Sequence, residues 1–319
     1  MITLTQEQVT GTGKYEQLLA KCSSLDPIPT AIAHPCDETS LSGAVEAANK
    51  GLIVPILVGP RAKIISAAES AEIDLHNIQI VDVPHSHAAA FKSVELLREA
   101  KAELLMKGSL HTDELMAAVV SRDGGMRTAR RISHAFVMDV PTYHKVLIVT
   151  DGAINIAPTL EDKMDICQNA IDLAVCLGRE WPSVAILAAV ETVTSKMPAT
   201  IDAAALCKMA ERGQIKGGLL EGPLAFDNAI SKQAAATKGI VSDIAGNPDI
   251  LLAPDLEAGN ILAKQLTYLA KADSAGLVLG ARVPIILTSR ADSVRSRIAS
   301  CAVAMLAAHA RRKGSSVNG

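Results

Sequence analysis

Aromatic rings are scarce in this chain of 319 residues: one Trp, three Tyr and three Phe, 2% of the whole. A core built without rings must be aliphatic, and hydrophobic residues still make up 49%. That combination suits parallel strands covered by helices. Paired cysteine spacings are missing as well. Cys22, Cys36, Cys167, Cys176, Cys207 and Cys301 form no CxxC, which excludes the usual zinc and disulfide frameworks and fits reduced thiols. No apolar run reaches the roughly 18 residues that span a bilayer. The start, MITLTQEQVTGTGKYEQ, has no basic stretch followed by an apolar one, so it is not a secretory signal. A cytoplasmic protein with no membrane partner is expected. With 31 Lys+Arg against 34 Asp+Glu, there is no cationic surplus for nucleic acid. GxGxxG, GxxxxGK[ST], HExxH and GxSxG are absent, which discounts the usual dinucleotide fold, P-loop kinases, zincins and α/β-hydrolases.

Short aliphatic runs are plentiful: Thr30–Ala33, Ile53–Val58, Ile78–Val81, Glu103–Met106, Val146–Thr150, Val184–Ala188, Ile250–Ala253, Leu277–Leu279 and Ile285–Leu287. Helix-like segments lie between most of them, the mark of βαβ units and a mostly parallel α/β sheet. One helix can be argued residue by residue. Leu160, Met164, Cys167, Ile171 and Ala174 form one stripe, Thr159 and Asp162 make a capping box, and Gly178 suits the C-terminus. Cys167 in that stripe reads as a small buried hydrophobe. At roughly 150 residues per domain the length suggests two. The expected division is 1–139 plus 288–319 against 140–287, with crossings at Asp139-Val140-Pro141 and near Leu287. The tail from Arg311, RRKGSSVNG, is expected to fray.

Polar segments at strand ends carry the candidate chemistry. In PIILTSRADS a strand runs into Ser289 and Arg290 before a helix. Ser289 as N-cap, free N–H groups and the Arg290 fork would make an anion site, although a capped helix with a surface Arg reads the same. In KGSLHTDEL, Lys107, Gly108, Ser109, His111 and Thr112 follow a strand; an ordinary turn capped by Thr112 is the plain alternative. Arg122, Arg127, Arg130 and Arg131 surround Gly124-Gly125, and Arg127 is expected to point inward. Thr150, Asp151, Gly152 and Asn155 end the strand at Val149. Asp151 could cap, bind metal or accept a ligand hydrogen bond. Asp255 and Glu257 open a helix whose dipole favours them without catalysis. Gly222–Asp227 reads as a further loop.

Together KGSLHTDEL, VTDGAINIAP, VETVTSKMPAT, EGPLAFDNAIS, PDLEAGNILAKQL and VPIILTSRADS resemble the phosphate acetyl/butyryltransferase family, densely from Ala102 to Ser300. The resemblance implies acyl transfer between coenzyme A and phosphate, with acyl-CoA as substrate and no tightly bound cofactor or metal. It implies two α/β domains like those of isocitrate and isopropylmalate dehydrogenases, a cleft between them, and a homodimer or higher homo-oligomer. By position it assigns Ser289 and Arg290 to phosphate, Arg127 to the cleft, and Thr150 and Asp151 to the facing loop. Lys107, Gly108, Thr112, Asn155, Gly259 and Asn260 complete the expected substrate contacts. Two positions depart from the family. Gly152 stands where many acetyl-transferring members have Cys, which favours direct attack. Ser296 stands where many have Asp, leaving Asp292, three residues after Ser289, as the nearest base, with Asp151 as its rival. At a helix start beside Arg290, Asp292 is expected to have a lowered pKa.

Acetyl is the expected acyl group, with butyryl or branched chains as the alternative and a non-catalytic acyl-CoA-binding module as a further one. A metal- and nucleotide-dependent hydroxyacid dehydrogenase would need an Asp cluster that Asp243 and Asp249 do not supply by spacing.

Overall fold

The computed structural model describes residues 13–121, 125–289 and 292–314. Strand and helix alternate through α1 (Lys14–Cys22), β1 (Ile28–Ala33), α2 (Glu38–Asn49), β2 (Ile53–Gly59), α3 (Arg61–Ser70), β3 (Gln79–Asp82), α4 (Ser86–Arg98), β4 (Leu104–Lys107) and α5 (Thr112–Val120). Next come β5 (Ser133–Asp139), β6 (Leu147–Thr150), α6 (Leu160–Cys176), β7 (Ser183–Leu187), α7 (Pro198–Glu211) and β8 (Leu219–Leu224). The described chain ends with α8 (Phe226–Ile230), α9 (Lys232–Thr237), β9 (Ile250–Leu252), α10 (Leu256–Tyr268), β10 (Asp273–Leu279), β11 (Ile285–Ile286) and α11 (Val294–Arg312).

Among the described residues these strands join one sheet in the order β3-β2-β1-β4-β11-β10-β5-β6-β9-β7-β8. The pairings β11–β10, β10–β5 and β5–β6 are antiparallel and the rest parallel. Three reversals in a row leave the two parallel runs pointing in opposite directions. Inner strands such as β1 and β4 are buried on both faces, as a doubly covered sheet requires. On one face Ile32, Leu57 and Leu104 share a core with Ile298, Val303 and Met305 of α11. On the other, Ala31, Val58 and Leu105 pack with Val94 of α4 and Leu115 of α5. Successive residues alternate between faces, as the strand period demands.

The aliphatic runs became strands, and α6 starts with its capping box: Thr159 accepts from the Asp162 N–H at 3.2 Å and Asp162 accepts from the Thr159 N–H at 3.0 Å. Gly178, at φ +97°, follows the end of that helix, and Cys167 is fully buried. Three expectations are corrected. Gly222 and Pro223 lie within β8, not in a loop, because β8 pairs with β7 alone and an edge strand tolerates a residue without an N–H. β5 had been missed: its sequence, SHAFVMD, is too polar to stand out as an apolar run. Arg311 and Arg312 do not fray but close α11, where Arg312 Nε reaches Glu103 at 2.8 Å; residues 315–319 lie outside the described residues. No described helix is long and apolar enough to cross a membrane.

Candidate active site

The ends of β4 and β11 lie side by side and, with the segments that follow them, carry half of the candidate residues. Lys107 ends β4 and is only 4% exposed. Its Nζ lies 3.4 Å from the carbonyl oxygens of Gly108 and Thr288, which joins the two strand ends. Gly108 has a packing reason: a Cβ there would stand 2.5 Å from the carbonyl oxygens of Ala33 and His34 at the end of β1. The Ser109 hydroxyl donates to the His34 carbonyl at 2.8 Å and lies 3.0 Å from His34 Nδ1. Thr112 is not the N-cap of α5; His111 occupies that position without its side chain capping the helix, and Thr112 begins the helix half-buried.

Ser289 does not cap the last helix either. Its N–H donates to the Asp292 carboxylate at 2.6 Å, and the Asp292 N–H donates back to the Ser289 carbonyl at 3.2 Å. The pair closes its own turn, so α11 starts only after Ser293, whose hydroxyl accepts from the Ser296 N–H. Arg290 lies outside the described residues. Asp292 therefore precedes the helix, and the expected lowering of its pKa is overturned. Burial pushes its carboxyl up, with the Ser289 N–H and the charges of Arg297, Lys107 and Lys264 opposing. Beneath this turn is Arg297, 3% exposed, which donates from Nη1 to the Thr288 hydroxyl at 2.7 Å and from Nη2 to the Ser289 carbonyl at 3.0 Å.

A second group of candidate residues lies on the turn after β6. The buried Asp151 carboxylate accepts from the N–H groups of Ala153, Ile154 and Asn155 at 2.9, 3.1 and 3.2 Å, and from Asn155 Nδ2 at 2.5 Å. Asn155 also donates to the Ile132 carbonyl at 2.9 Å and accepts from Arg131 Nε at 2.7 Å. The Thr150 hydroxyl donates to the His134 carbonyl at 2.8 Å. Asp255 caps α10 by accepting from the Ala258 N–H at 2.9 Å. The first turn of α10 is tied to the β6 turn, where Asn260 Nδ2 donates to the Gly152 carbonyl at 2.9 Å. From the same helix Lys264 places its charge near Asp292, so α10 reaches both turns.

Arg127 is exposed, bridging to Ala281 rather than pointing inward. The arginine drawn in is Arg130, paired with the Asp172 carboxylate, while Arg131 stays exposed and reaches Asn155 through its Nε. Buried acceptors, not the nearby glycines, select which arginine turns in. The sequence reading also missed His134, 1% exposed, edge-on to Phe136 and in contact with the Leu287 backbone; burial presses its pKa down. It missed Arg297 and Lys264 too. The available signal for Arg297 was a charge amid small and apolar residues of a buried helix (RSRIASCAV).

This arrangement gathers the buried cations Lys107 and Arg297, the desolvated Asp292 carboxylate and the Thr288–Ser289 turn in one place, chemistry fit for an anionic substrate and a proton transfer. The family model for phosphate acetyl/butaryl transferase matches residues 85–305. The chain belongs to this family. It is 66% identical to the phosphate acetyltransferase of Rhizobium meliloti, over 94% of this chain and 95% of that one. It is 39% identical to the phosphate butyryltransferase of Clostridium acetobutylicum, over 92% and 98%. The branched-chain phosphotransacylase from Enterococcus faecalis V583 superposes with a TM-score of 0.77 at 29% identity, covering 88% of this chain and 99% of that one. A 4-hydroxythreonine-4-phosphate dehydrogenase from Burkholderia phymatum shares the fold alone, with a TM-score of 0.54 at 13% identity over 89% and 99%.

Proposed function

We propose that the chain is a phosphate acetyltransferase, interconverting acetyl-CoA plus phosphate with acetyl phosphate plus coenzyme A. The observation that carries the acetyl reading is the near-full-length likeness to the Rhizobium meliloti enzyme, well above the likeness to the butyryltransferase. In the direction of acetyl-CoA synthesis, Asp292 takes the proton of the coenzyme A thiol. The thiolate attacks the acetyl carbonyl carbon, the tetrahedral oxyanion collapses, and the C–O bond to phosphate breaks. Ser289, Arg290 and Lys107 hold the phosphate. Thr112 faces the ligand, while Gly108, Thr150, Asn155, Gly259 and Asn260 shape the walls. No step needs a metal, a tightly bound cofactor or a covalent enzyme intermediate.

The reading extends to the architecture. Two lobes, 1–139 plus 288–319 and 140–287, arranged as in isocitrate and isopropylmalate dehydrogenases, are supported by the two opposed parallel runs of the sheet and by the shared dehydrogenase fold. Exposed Ile261, Tyr268 and Leu269 support a homodimer or higher assembly. Six unpaired thiols support a cytoplasmic setting.

The test is thiol release from acetyl-CoA, propionyl-CoA and butyryl-CoA with phosphate. Acetyl-CoA should lead butyryl-CoA in kcat/KM by roughly tenfold or more. Preference for butyryl-CoA would move the reading to the butyryltransferase, and no thiol release from any of them would leave a binding module.

A further inference from the structure

We propose that Arg297 is a positioning residue of the acyl-phosphate site: it sets the Thr288–Ser289 turn from beneath and supplies buried positive charge that the phosphate neutralises. This rests on the functional reading above.

The first observation is the burial of an unneutralised charge. Arg297 is 3% exposed, yet its two hydrogen bonds go to a neutral hydroxyl and a neutral carbonyl, on Thr288 and Ser289. Its Nε is buried without a partner. Among the described residues no carboxylate lies within ion-pair distance of it. Asp37, at the start of α2, and Asp292 act on it only from farther away, and Cys301 faces it along α11. A buried guanidinium without an ion pair is costly unless an anion compensates it. Lys107, 4% exposed, meets the other side of Thr288. Two buried cations thus converge on the turn that the reading gives to phosphate.

The second observation is a space kept for this side chain. A Cβ on Gly43, in the middle of α2, would stand 2.6 Å from Arg297 Cδ and 3.0 Å from its Cβ. Glycine inside a helix costs about 1 kcal/mol relative to alanine. Here it leaves room for the Arg297 side chain, which rises between α2 and the turn. Nothing else in the surroundings of Gly43 comes closer than this side chain.

The test compares wild type with Arg297→Gln, Arg297→Lys and Gly43→Ala. It uses separate KM values for phosphate and acetyl-CoA, with thermal protection by inorganic phosphate as a readout independent of turnover. Arg297→Gln should raise the phosphate KM roughly tenfold or more, leave the acetyl-CoA KM within about twofold, and lose phosphate protection. Arg297→Lys should recover part of the loss, since it keeps the charge without the fork. Gly43→Ala, which displaces Arg297 without touching the turn, should raise the phosphate KM in the same direction by a smaller factor. It also decides the matter if Arg297→Gln fails to fold: a wild-type phosphate KM in folded Gly43→Ala overturns the proposal. So does a wild-type phosphate KM in folded Arg297→Gln, or an equal rise in both KM values. If the wild type binds phosphate but transfers no acyl group, the functional reading fails while phosphate protection still judges Arg297.

Discussion

Gly152 and Gly259 meet backbone to backbone: a Cβ on Gly152 would stand 3.0 Å from the Gly259 carbonyl carbon, 3.2 Å from the Asn260 nitrogen and 3.1 Å from the Phe136 ring. This contact seats the first turn of α10 on the turn after β6. The same helix carries Lys264 towards Asp292, so the closeness of two glycines fixes how α10 sits on that turn. A side chain at position 152 would press on the α10 backbone and the Phe136 ring.

Gly152→Ala should therefore push α10 outward. Overpacking against backbone, which cannot rotate away, should cost about 1–3 kcal/mol of stability. kcat/KM should fall as well, because Lys264 and Asn260 move with the helix. Thermal melts and initial rates on the purified variant check this; a wild-type melt with wild-type rates would show that the site tolerates a side chain.

What the sequence disclosed, and what it concealed, follows from the range of the interactions. Aliphatic runs and the Thr159 box act within a few residues, so strands and α6 could be placed. Ser289 failed as an N-cap because α11 begins only after Ser293, four residues on, whose hydroxyl takes the capping role. Arg127 failed because the acceptors that choose among the arginines, Asp172 and Asn155, lie more than twenty residues away along the chain. Arg297 and Lys264 escaped notice because a charge in a helix reads as solvated until the partner elements are known. The sign of the Asp292 shift was missed for the same reason: the helix start expected beside it lies only at Val294, and its burial is not legible along the chain.

No cysteine should be needed for turnover. Burial pushes Cys22 and Cys36 up to about 11, and Cys176, Cys207 and Cys301 up to about 12; buried Cys167 rises as well. With a pKa of about 11, roughly one thiol in ten thousand is a thiolate at pH 7, too few for an efficient nucleophile. A variant with all six changed to Ala, assayed well below its melting temperature, should keep the wild-type mechanism and show the rate pattern of a ternary complex. An acyl-enzyme trapped by quenching with labelled acetyl-CoA would contradict this.

The base should be Asp292 and not Asp151, and the two variants should fail in opposite ways. Burial raises the Asp292 pKa above its ordinary 3.8, so the folded protein holds that proton more tightly than the unfolded chain does. The ionised carboxylate therefore costs stability at every pH above the folded pKa, and the cost fades as pH falls through the folded value to 3.8 and below. Asp292→Asn removes that cost while its side-chain oxygen can still accept the Ser289 N–H. Its melting temperature at pH 7 should match or exceed wild type. Its kcat/KM for coenzyme A should fall by about 10²–10⁴, and the acidic limb of the pH profile should vanish. Asp151→Asn instead puts an amide where the carboxylate oxygens accept the N–H groups of Ala153, Ile154 and Asn155. Leaving such donors without acceptors should cost about 1–3 kcal/mol and lower the melting temperature, while the acidic limb stays in place. The limb belongs to whichever variant loses it: its survival in Asp292→Asn together with its loss in Asp151→Asn would transfer the role to Asp151.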